Sequence, residues 1–314
     1  MSARCKELGV TVRLSSKAIS VDLETAEVEI EGGEKVKGDV VLCADGLWSA
    51  TRSQFLGKPS PAILTGDLAY RIVINTAELT GPDAPELKKF IDDEMVNFWV
   101  GDGTHVVAYT MRAGSMYNIV LLCPDNLPLE VTKTEGDLNE MKKLFEGWDP
   151  VLRKFLDQVK SVAKWKLMWL DTLPEWTNEK GTFLMAGDCC HPMLPYLAQG
   201  ANSSLEDGAV LGYLLGKVTR EKKDGQLPKV AKLYQELRKE RGEMIQKETF
   251  KQREDFHLPD GARQEARDNL MIGMLGGEVK ADFPSRWTCP RVQRWLYGYD
   301  AYKEVEEGFK ANPF

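Results

Sequence analysis

The turn Gly187-Asp188 carries residue types that suit the binding of a polyhydroxylated ligand. It follows Thr182–Ala186, a short apolar run that predicts a buried strand. Asp188 would then lie at the carboxyl end of a strand, where open α/β sheets bind their ligands. Its carboxylate can accept hydrogen bonds from sugar-like hydroxyls, and Gly187 allows close approach to the backbone because it has no Cβ. We therefore predict a ligand contact at this turn.

A predicted helix, Gly200–Gly216, begins shortly after that turn, and its first residues are small. A helix start presents unpaired N–H groups and about half a positive charge. Small side chains at Gly200, Ala201 and Asn202 would let a planar ligand with a negative edge approach these groups. Pro192 and Pro195 stiffen the connecting loop. Taken singly, Asp188 and Asn202 would be ordinary turn or helix-start residues, so the prediction depends on their combination.

A second candidate segment follows Val40–Ala44, an apolar run typical of a strand buried on both faces of a parallel sheet. It ends at Asp45-Gly46, and Arg52 follows a few residues later in the chain. A guanidinium suits a phosphate contact, whereas Asp45 would shape the turn or reach a hydroxyl. The two buried strands require each other, because neither makes a sheet alone.

The elements that position these residues belong to two kinds of predicted secondary structure. A helix ending at Gly9 precedes a predicted strand, Val10–Leu14, and a hairpin region follows it. The middle of the chain instead predicts an antiparallel sheet with short turns. Its predicted strands are Leu68–Thr76, Val96–Val100, His105–Met111 and Tyr117–Cys123. Helices are predicted over 137–148 and 151–159, and the chain beyond Leu227 is mainly helical and charged.

The composition is that of a soluble globular protein. Of 314 residues, 43% are apolar and 28% charged, and the net charge of −7 argues against a nucleic-acid surface. No apolar run approaches the ~20 residues of a membrane span. The start of the chain lacks the apolar core of a secretory signal. Six scattered cysteines without metal-type spacing predict no metal site, reduced thiols at Cys189-Cys190 and a cytoplasmic location.

Two long motifs resemble those of a known family. GDCCHPMLPYLAQGANSSLEDGAVLG, from Gly187, resembles the second FAD motif of the aromatic-hydroxylase class of flavoprotein monooxygenases, especially the salicylate-hydroxylase-like enzymes. DVVLCADGLWSATR, from Asp39, resembles the Asp-Gly motif of that class. Weaker matches are TGDLAYR from Thr65, HLPDG from His257 and WLYGYDA from Trp295.

The resemblance implies an α/β fold. The expected architecture is an incomplete FAD-binding Rossmann-like domain of the glutathione-reductase and aromatic-hydroxylase type, with an inserted antiparallel sheet domain and a helical C-terminal region. The predicted divisions are 1–63 (partial FAD-binding domain), 64–170 (substrate-side sheet with helices), 171–220 (second part of the FAD-binding domain) and 221–314 (helical region).

The resemblance also assigns roles to residues. It implies that Asp188 binds the ribityl chain of FAD, that Pro195 and the backbone of Gly200-Ala201-Asn202 border the isoalloxazine, and that the Asp-Gly segment serves both FAD and NAD(P)H. The predicted cofactor-binding set is Asp45, Arg52, Gly187, Asp188, Pro195, Gly200, Ala201 and Asn202. On the substrate side, Arg71 would pair with an anionic substrate or with the sheet rim. His105 and Tyr109 are further substrate-side candidates, and His191 is expected to be structural.

One family motif is absent from these residues, namely the GxGxxG fingerprint that holds the FAD diphosphate. Gly32-Gly33 lies in a predicted hairpin turn and Gly273–Gly277 in a late helical region, so neither supplies it. Relative to the family, the chain is expected to begin just before the segment that leads to the Asp-Gly motif. We expect weaker FAD binding from the residues present.

The implied function is an FAD-dependent monooxygenase. NAD(P)H would reduce the flavin, O₂ would form a C4a-hydroperoxide, and a small aromatic or related substrate would be hydroxylated. Two alternatives stay open at this point. One is a truncated, non-catalytic flavoprotein-like remnant or interaction protein with weak or no FAD binding. The other is a flavin-dependent oxidoreductase that does not hydroxylate with O₂. The sequence leaves the substrate, the choice between NADH and NADPH and the oligomeric state undetermined.

Overall fold

A computed structural model describes residues 1–93, 95–279 and 282–314 of the chain. These residues form two compact units. The first unit comprises Met1–Ala62, Leu170–Gln246 and Tyr299–Phe314, and the second comprises Ile63–Trp169 and Lys247–Gly298. The region 221–314, predicted as a separate helical region, instead divides between the two units. No helix within the described ranges is both long enough and apolar enough to cross a membrane.

The described ranges contain the following helices and strands. The helices are α1 (Ser2–Glu7), α2 (Ala50–Leu56), α3 (Ala84–Asp92), α4 (Leu138–Leu144), α5 (Pro150–Asp157), α6 (Gly200–Leu215), α7 (Lys223–Phe256), α8 (Ala262–Ile272), α9 (Pro290–Tyr297) and α10 (Ala301–Ala311). The strands are β1 (Ala18–Asp22), β2 (Glu27–Ile30), β3 (Lys35–Lys37), β4 (Val41–Cys43), β5 (Ile63–Asn75), β6 (Asn97–Gly101), β7 (Thr104–Met111), β8 (Met116–Pro124), β9 (Lys133–Glu135), β10 (Ala163–Trp169) and β11 (Phe183–Met185).

In the first unit, β4 and β11 pair in parallel, as the sequence predicts. Cys43 lies opposite Met185, and the amide of Ala186 donates to the carbonyl of Cys43 at 3.0 Å. The prediction that the β4 strand is buried on both faces is wrong at Leu42, which is 47% exposed. Both strands end at the same edge of this small sheet. The turns that follow them, at Asp45 and Asp188, therefore belong to one region.

The segment Val10–Leu14 forms no strand, contrary to prediction. Its apolar side chains are exposed, and Leu14 is 85% exposed. A strand needs a partner whose backbone groups complete its hydrogen bonds. The described β1, β2 and β3 pair only with one another, so this segment has no such partner among them.

In the second unit, the described strands form one antiparallel sheet in the order β6-β7-β8-β5-β10-β9. The four predicted strands are confirmed within a few residues, whereas β9 and β10 were missed. The alternation in β10 places Lys164 and Lys166 on the buried face, where a sequence pattern would place apolar residues. Lys164 pairs with Glu140 at 2.9 Å, and Lys166 donates to the carbonyl of Pro128 at 2.6 Å. These partners make the buried lysines tolerable.

The two faces of this sheet have different roles. One face carries the apolar core of the unit, which includes Leu68, Tyr70, Val106 and Leu121 and packs against helices such as α3 and α5. Directly paired residues of antiparallel strands point to the same face. Through the register, Arg71, His105 and Tyr109 share the opposite face. The sheet therefore gathers the three predicted substrate-side residues on one surface.

Phe155 should be a main determinant of the stability of the second unit. It is fully buried and stacks on Tyr117 with ring centroids 4.8 Å apart. We expect Phe155→Ala to lower the free energy of unfolding by about 3–5 kcal/mol, because it removes apolar contacts and leaves a cavity. Urea unfolding followed by circular dichroism measures this loss. Leu144→Ala, at a residue that is 46% exposed, is the control and should change little. Equal losses in the two variants would contradict this assignment of the core.

Candidate functional site

The carboxylate of Asp188 stands at the shared carboxyl edge of β4 and β11. Among the described residues, no hydrogen-bond donor reaches it. Asp188 is exposed, but the protein next to its carboxylate displaces part of its water and so raises its pKa. The electrostatic effect of His191 opposes this rise. A Cβ placed on Gly200, the first residue of α6, would lie 3.8 Å from Asp188 Oδ1. A carboxylate with no partner among the described residues therefore borders the start of a helix, which is the combination predicted from the sequence.

The start of α6 offers free donors beside this carboxylate. Within the described chain, the amides of Gly200, Ala201 and Asn202 have no acceptor, and the first backbone bond is from Ser203 to Gln199 at 2.8 Å. No acidic residue lies in the first turn of α6, and Gln199 provides no side-chain cap. Pro195 begins a 3₁₀ turn, is exposed and precedes this helix start. The positive end of a 16-residue helix is therefore open to an anionic group.

Gly187 has a structural reason to be glycine. Its φ of +67° is in the left-handed region, and a Cβ there would lie 2.8 Å from Ser204 Oγ. Its amide donates to Asp207 Oδ2 at 2.9 Å. The turn is therefore fixed against α6 through its backbone. Asp188, the next residue, is positioned as a consequence.

Asp207 is the functional residue that the sequence reasoning missed. It is fully buried, and its carboxylate also lies 2.6 Å from His191 Nε2 and accepts from Arg238 Nε at 2.8 Å. Burial alone would raise the pKa of Asp207, but His191 and Arg238 lower it below the ordinary value. The sequence signal was the acidic pair Glu206-Asp207 in a helix of small and apolar residues. Its partner Arg238 lies on another helix, 31 residues away.

Arg238 joins this carboxylate to a wider ionic network. It lies 2.8 Å from Glu206, and Arg241 donates to both carboxylate oxygens of Glu206 at 2.8 Å. The guanidinium of Arg241 stacks on the ring of Tyr299, 3.8 Å from its centroid. The first half of α7 is thereby bound to α6. His191, expected to be structural, belongs to this network through Asp207.

Asp45 and Arg52 both make hydrogen bonds to other residues of the chain. Asp45 accepts from the thiol of Cys43 at 2.8 Å and from the hydroxyl of Thr51 at 3.1 Å. Burial tends to raise the pKa of Asp45, but these hydrogen bonds lower it below its ordinary value. Asp45 is exposed beyond these bonds, which hold it in the turn after β4.

The predicted phosphate contact of Arg52 has no support in this arrangement. Arg52 is 1% exposed, and its guanidinium donates to the carbonyls of Cys189 (3.0 Å), Leu47 (2.8 Å) and Ser60 (2.9 Å) and to the hydroxyl of Ser60 (3.2 Å). A phosphate would need a guanidinium that faces solvent. Arg52 instead joins the loop after β4 to the loop after β11.

In the second unit, His105 is the most constrained of the three substrate-side residues. It is 1% exposed, and its Nδ1 lies 2.6 Å from Nε2 of His257. Arg71 is exposed on β5, and among the described residues it makes no ion pair with the sheet rim. Tyr109 is half-buried on β7. These two side chains are therefore available for a ligand.

The residues of the first unit fit a flavin in part. A ribityl chain needs partners for its hydroxyls, and Asp188 provides an exposed carboxylate that no donor of the described ranges reaches. An isoalloxazine needs hydrogen-bond donors at its N1–C2 carbonyl edge and side chains small enough for its flat ring to approach them. The small residues at the start of α6 provide both, because their amides are free. The glycine positions add to the fit, since a side chain at Gly200 would stand beside Asp188.

Comparisons with known proteins agree with this fit. The family described as "FAD binding domain" matches residues 4–249. The FAD-dependent monooxygenase OpS4 of Beauveria bassiana is 51% identical over 306 residues, which cover 96% of this chain and 69% of that protein. The FAD-dependent monooxygenase atnJ of an Arthrinium species is 34% identical over 315 residues, which cover 98% and 71%. The chain belongs to the FAD-dependent monooxygenase family.

The fold of this monooxygenase agrees with that assignment. A salicylate hydroxylase solved as a substrate complex superposes with a TM-score of 0.74 at 21% identity, covering 96% of this chain and 72% of that one. The resemblance to the aromatic-hydroxylase class and the α/β fold class are thus confirmed. The chain spans 69% and 71% of the length of OpS4 and atnJ, respectively.

Asp207 should be essential for the geometry of the Gly187-Asp188 turn. We expect Asp207→Asn to lower the free energy of unfolding by about 3–5 kcal/mol, because it leaves the buried Arg238 without an anionic partner. Urea unfolding followed by circular dichroism tests this. Asp224→Asn, at an exposed residue of α7, is the matched control and should stay within about 0.5 kcal/mol of the parent. A loss as small as that of the control would contradict the network.

The buried histidine pair should make stability depend on pH. Burial lowers the pKa of His105 well below its usual range and that of His257 to about 4, with Asp67 opposing and Arg253 adding to the latter shift. The unfolded chain takes up protons near pH 6.5, whereas the folded protein does so only at lower pH. The contribution of the neutral histidines to the free energy of unfolding is therefore full above about pH 6.5 and is lost as the pH falls toward 4.

His257→Gln should remove part of that dependence. Between pH 7 and pH 4.5, we expect the parent to lose on the order of 2–3 kcal/mol more unfolding free energy than the variant. Urea titrations at the two pH values measure the difference. The same pH dependence in both proteins would show that His257 is not held in its neutral form.

Proposed function

We propose that this protein hydroxylates a small aromatic or related ring, using FAD, NAD(P)H and O₂. The observation that carries the proposal is the unpartnered carboxylate of Asp188 beside the free amides of α6, in a chain that belongs to the FAD-dependent monooxygenases. Such a site suits a ligand with both a hydroxylated chain and a planar, negatively polarised edge. A bound flavin accepts electrons from a nicotinamide cofactor and activates O₂, so that one oxygen atom can be inserted into the ring.

The residues of the chain would bind and orient this cofactor. Asp188 would accept hydrogen bonds from ribityl hydroxyls, and the amides of Gly200, Ala201 and Asn202 would stabilise negative charge at the N1–C2 carbonyl edge. Pro195 would border the ring system. Asp207 acts indirectly, because it holds Gly187 and thereby places Asp188.

The residues proposed to contact the substrate belong to the second unit. Arg71, His105 and Tyr109 share one face of the sheet, and they offer a cation, an imidazole and a phenol hydroxyl. We infer that Arg71 pairs with an anionic substituent of the substrate and that Tyr109 hydrogen-bonds a ring hydroxyl, because these two side chains are accessible whereas His105 is 1% exposed.

The class of substrate is proposed from this chemistry together with the relatives. One relative is named 3-hydroxybenzoate 6-hydroxylase and another 6-hydroxynicotinate 3-monooxygenase, with 29% and 34% identity. Both names denote rings that carry a hydroxyl and a carboxylate. A hydroxylated aromatic acid would place the carboxylate at Arg71 and the hydroxyl at Tyr109.

The alternative of a non-catalytic remnant is not favoured, because named monooxygenases match nearly the whole chain. An oxidoreductase without hydroxylation is the remaining competitor. Product analysis distinguishes the two, since only a hydroxylase incorporates labelled oxygen from ¹⁸O₂ into the ring. A panel of 3-hydroxybenzoate, salicylate and 6-hydroxynicotinate, with benzoate as the hydroxyl-free comparison, provides the substrates.

Asp188→Ala should weaken FAD binding by about tenfold or more, since a charge-assisted hydrogen bond contributes roughly 1.5–3 kcal/mol. Quenching of flavin fluorescence during titration with FAD measures the dissociation constant. Asp224→Ala, which removes an exposed carboxylate of α7, is the control and should bind FAD as the parent does.

Two results would contradict the proposal. One is an FAD affinity that is the same in the parent and in Asp188→Ala, which would remove Asp188 from the site. The other is a parent protein that shows no flavin spectrum after reconstitution with FAD, or whose bound flavin stays oxidised with NADH and NADPH.

A further inference from the structure

The fold of the first unit brings together two cysteines that lie far apart in the sequence. Cys43 ends β4, and Cys189 follows β11, 146 residues later. The sulfur atoms of both residues and a carboxylate oxygen of Asp45 lie within 4.8 Å of one another. The spacing of the cysteines along the sequence predicts no metal site. The cluster forms because β4 and β11 are parallel neighbours that end at the same edge.

Hydrogen bonds hold the groups of this cluster in place. Cys43 Sγ lies 2.8 Å from Asp45 Oδ1 and 2.7 Å from Thr51 Oγ1. The thiol of Cys189 lies 2.9 Å from the carbonyl oxygen of Cys43 and 3.0 Å from that of Ala186. Both sulfur atoms are therefore positioned by the backbone of the two strands and of the residues that directly follow them.

A cation from solvent has a route to this cluster through Asp45. The side chain of Asp45 is exposed, whereas Cys43 is 5% exposed and Cys189 is buried. An ion would meet the carboxylate first, and the sulfur of Cys43 lies directly behind that carboxylate. The sulfur of Cys189 would then complete the inner side of the site.

The charges around the cluster suit a divalent cation that is bound by two thiolates. Arg52 from α2 donates to the carbonyl of Cys189, so one positive charge already lies beside the cluster. With both cysteines as thiols, this charge balances that of Asp45. A divalent ion brings two positive charges, and the two thiol protons that it displaces carry two away. The balance is therefore kept, and no uncompensated charge is buried.

The donor atoms of the cluster select the class of ion. Thiolates favour zinc and other thiophilic cations such as cadmium, whereas Mg²⁺ and Ca²⁺ prefer oxygen ligands. Zinc bonds of about 2.3 Å to sulfur and about 2.0–2.2 Å to oxygen place tetrahedral ligand atoms roughly 3.3–3.8 Å apart. Asp45 would have to move away from Cys43 by about 1 Å or less to match this geometry. Its exposed side chain can make that shift.

We propose that Cys43, Asp45 and Cys189 bind a thiophilic divalent cation of the zinc class, with a water molecule in the fourth position. On binding, the S–H bonds of the two thiols break, their protons pass to solvent, and two sulfur–metal bonds form without a change of oxidation state. The ion would join the turn after β4 to the turn that carries Asp188. This inference does not depend on the proposed function, because none of its steps involves FAD or a substrate.

The first test is a titration of the reduced, chelator-treated full chain with Cd²⁺, which gives an ultraviolet charge-transfer band when thiolates bind it. We expect one ion per chain. Competition with a chromophoric chelator measures the affinity for Zn²⁺. Cys43→Ser and Cys189→Ser should each lower that affinity by about 100-fold or more, because a direct ligand contributes more than the 10- to 100-fold of an outer partner.

Cys190→Ser is the matched control for these two variants. Its sulfur is also buried, but it lies 3.5 Å from the carbonyl oxygen of Gly187 and is not part of the cluster. This variant should bind the ion as the parent does, and so should Cys5→Ser near the start of the chain. An equal loss of affinity in Cys190→Ser would overturn the assignment. So would a parent that binds neither Zn²⁺ nor Cd²⁺.

Serine fits position 43, because the distances of 2.7 and 2.8 Å to Thr51 and Asp45 are normal for O–H···O hydrogen bonds. Circular dichroism verifies that the variants are folded. Should Cys189→Ser fail to fold, the affinity of Cys43→Ser decides by itself.

X-ray absorption at the zinc edge tests the ligands of the parent directly. Two sulfur atoms at about 2.3 Å and oxygen atoms at about 2.0–2.2 Å are expected. In weakly buffered solution, the parent should release two protons per bound ion and Cys43→Ser only one. Zinc with only oxygen or nitrogen ligands, or binding without proton release, would overturn the proposal. A chain that binds zinc in this way but does not bind FAD would contradict the proposed function alone.

Discussion

The carboxylate of Asp207 receives hydrogen bonds from Gly187, His191 and Arg238, which belong to two separate stretches of the described chain, the loop after β11 and α7. An ionised carboxylate can only accept, so each of these groups is oriented as a donor toward one point. This convergence fixes the turn after β11 against α6 and joins α6 to α7. Asp188 and the first amides of α6 are the exposed groups proposed to bind the cofactor. Their positions are fixed by the hydrogen bonds that the buried Asp207 carboxylate accepts.

Local sequence patterns predicted much of this architecture. The apolar runs of β4 and β11 and the turns that follow them were recognised, because a short continuous apolar stretch that ends at a turn is typical of a strand in a parallel pair. The small residues at the start of α6 indicated an open helix start. The strands β5, β7 and β8 were recognised from their strand-like residues and from the short turns of the region, which suit an antiparallel sheet.

The features that were missed depend on partners distant in sequence. The buried lysines of β10 contradict a pattern of apolar residues, and only their contacts with Glu140 and Pro128 explain them. Arg52 looked like a phosphate ligand because its neighbours form a motif, whereas its burial depends on loops that meet in space. The pair of His105 and His257 joins residues whose separate surroundings in sequence give no sign of each other. No periodicity encodes such contacts.

Burial has opposite consequences in the two units, and the difference lies in the charges that surround each group. Asp207 stays ionised because His191 and Arg238 more than offset the loss of water, so its charge can fix a geometry. His105 and His257 lack that compensation: Asp67 raises the pKa of His257, but Arg253 and burial lower it further. The same desolvation therefore leaves a charged, rigid support in one unit and a neutral imidazole pair in the other.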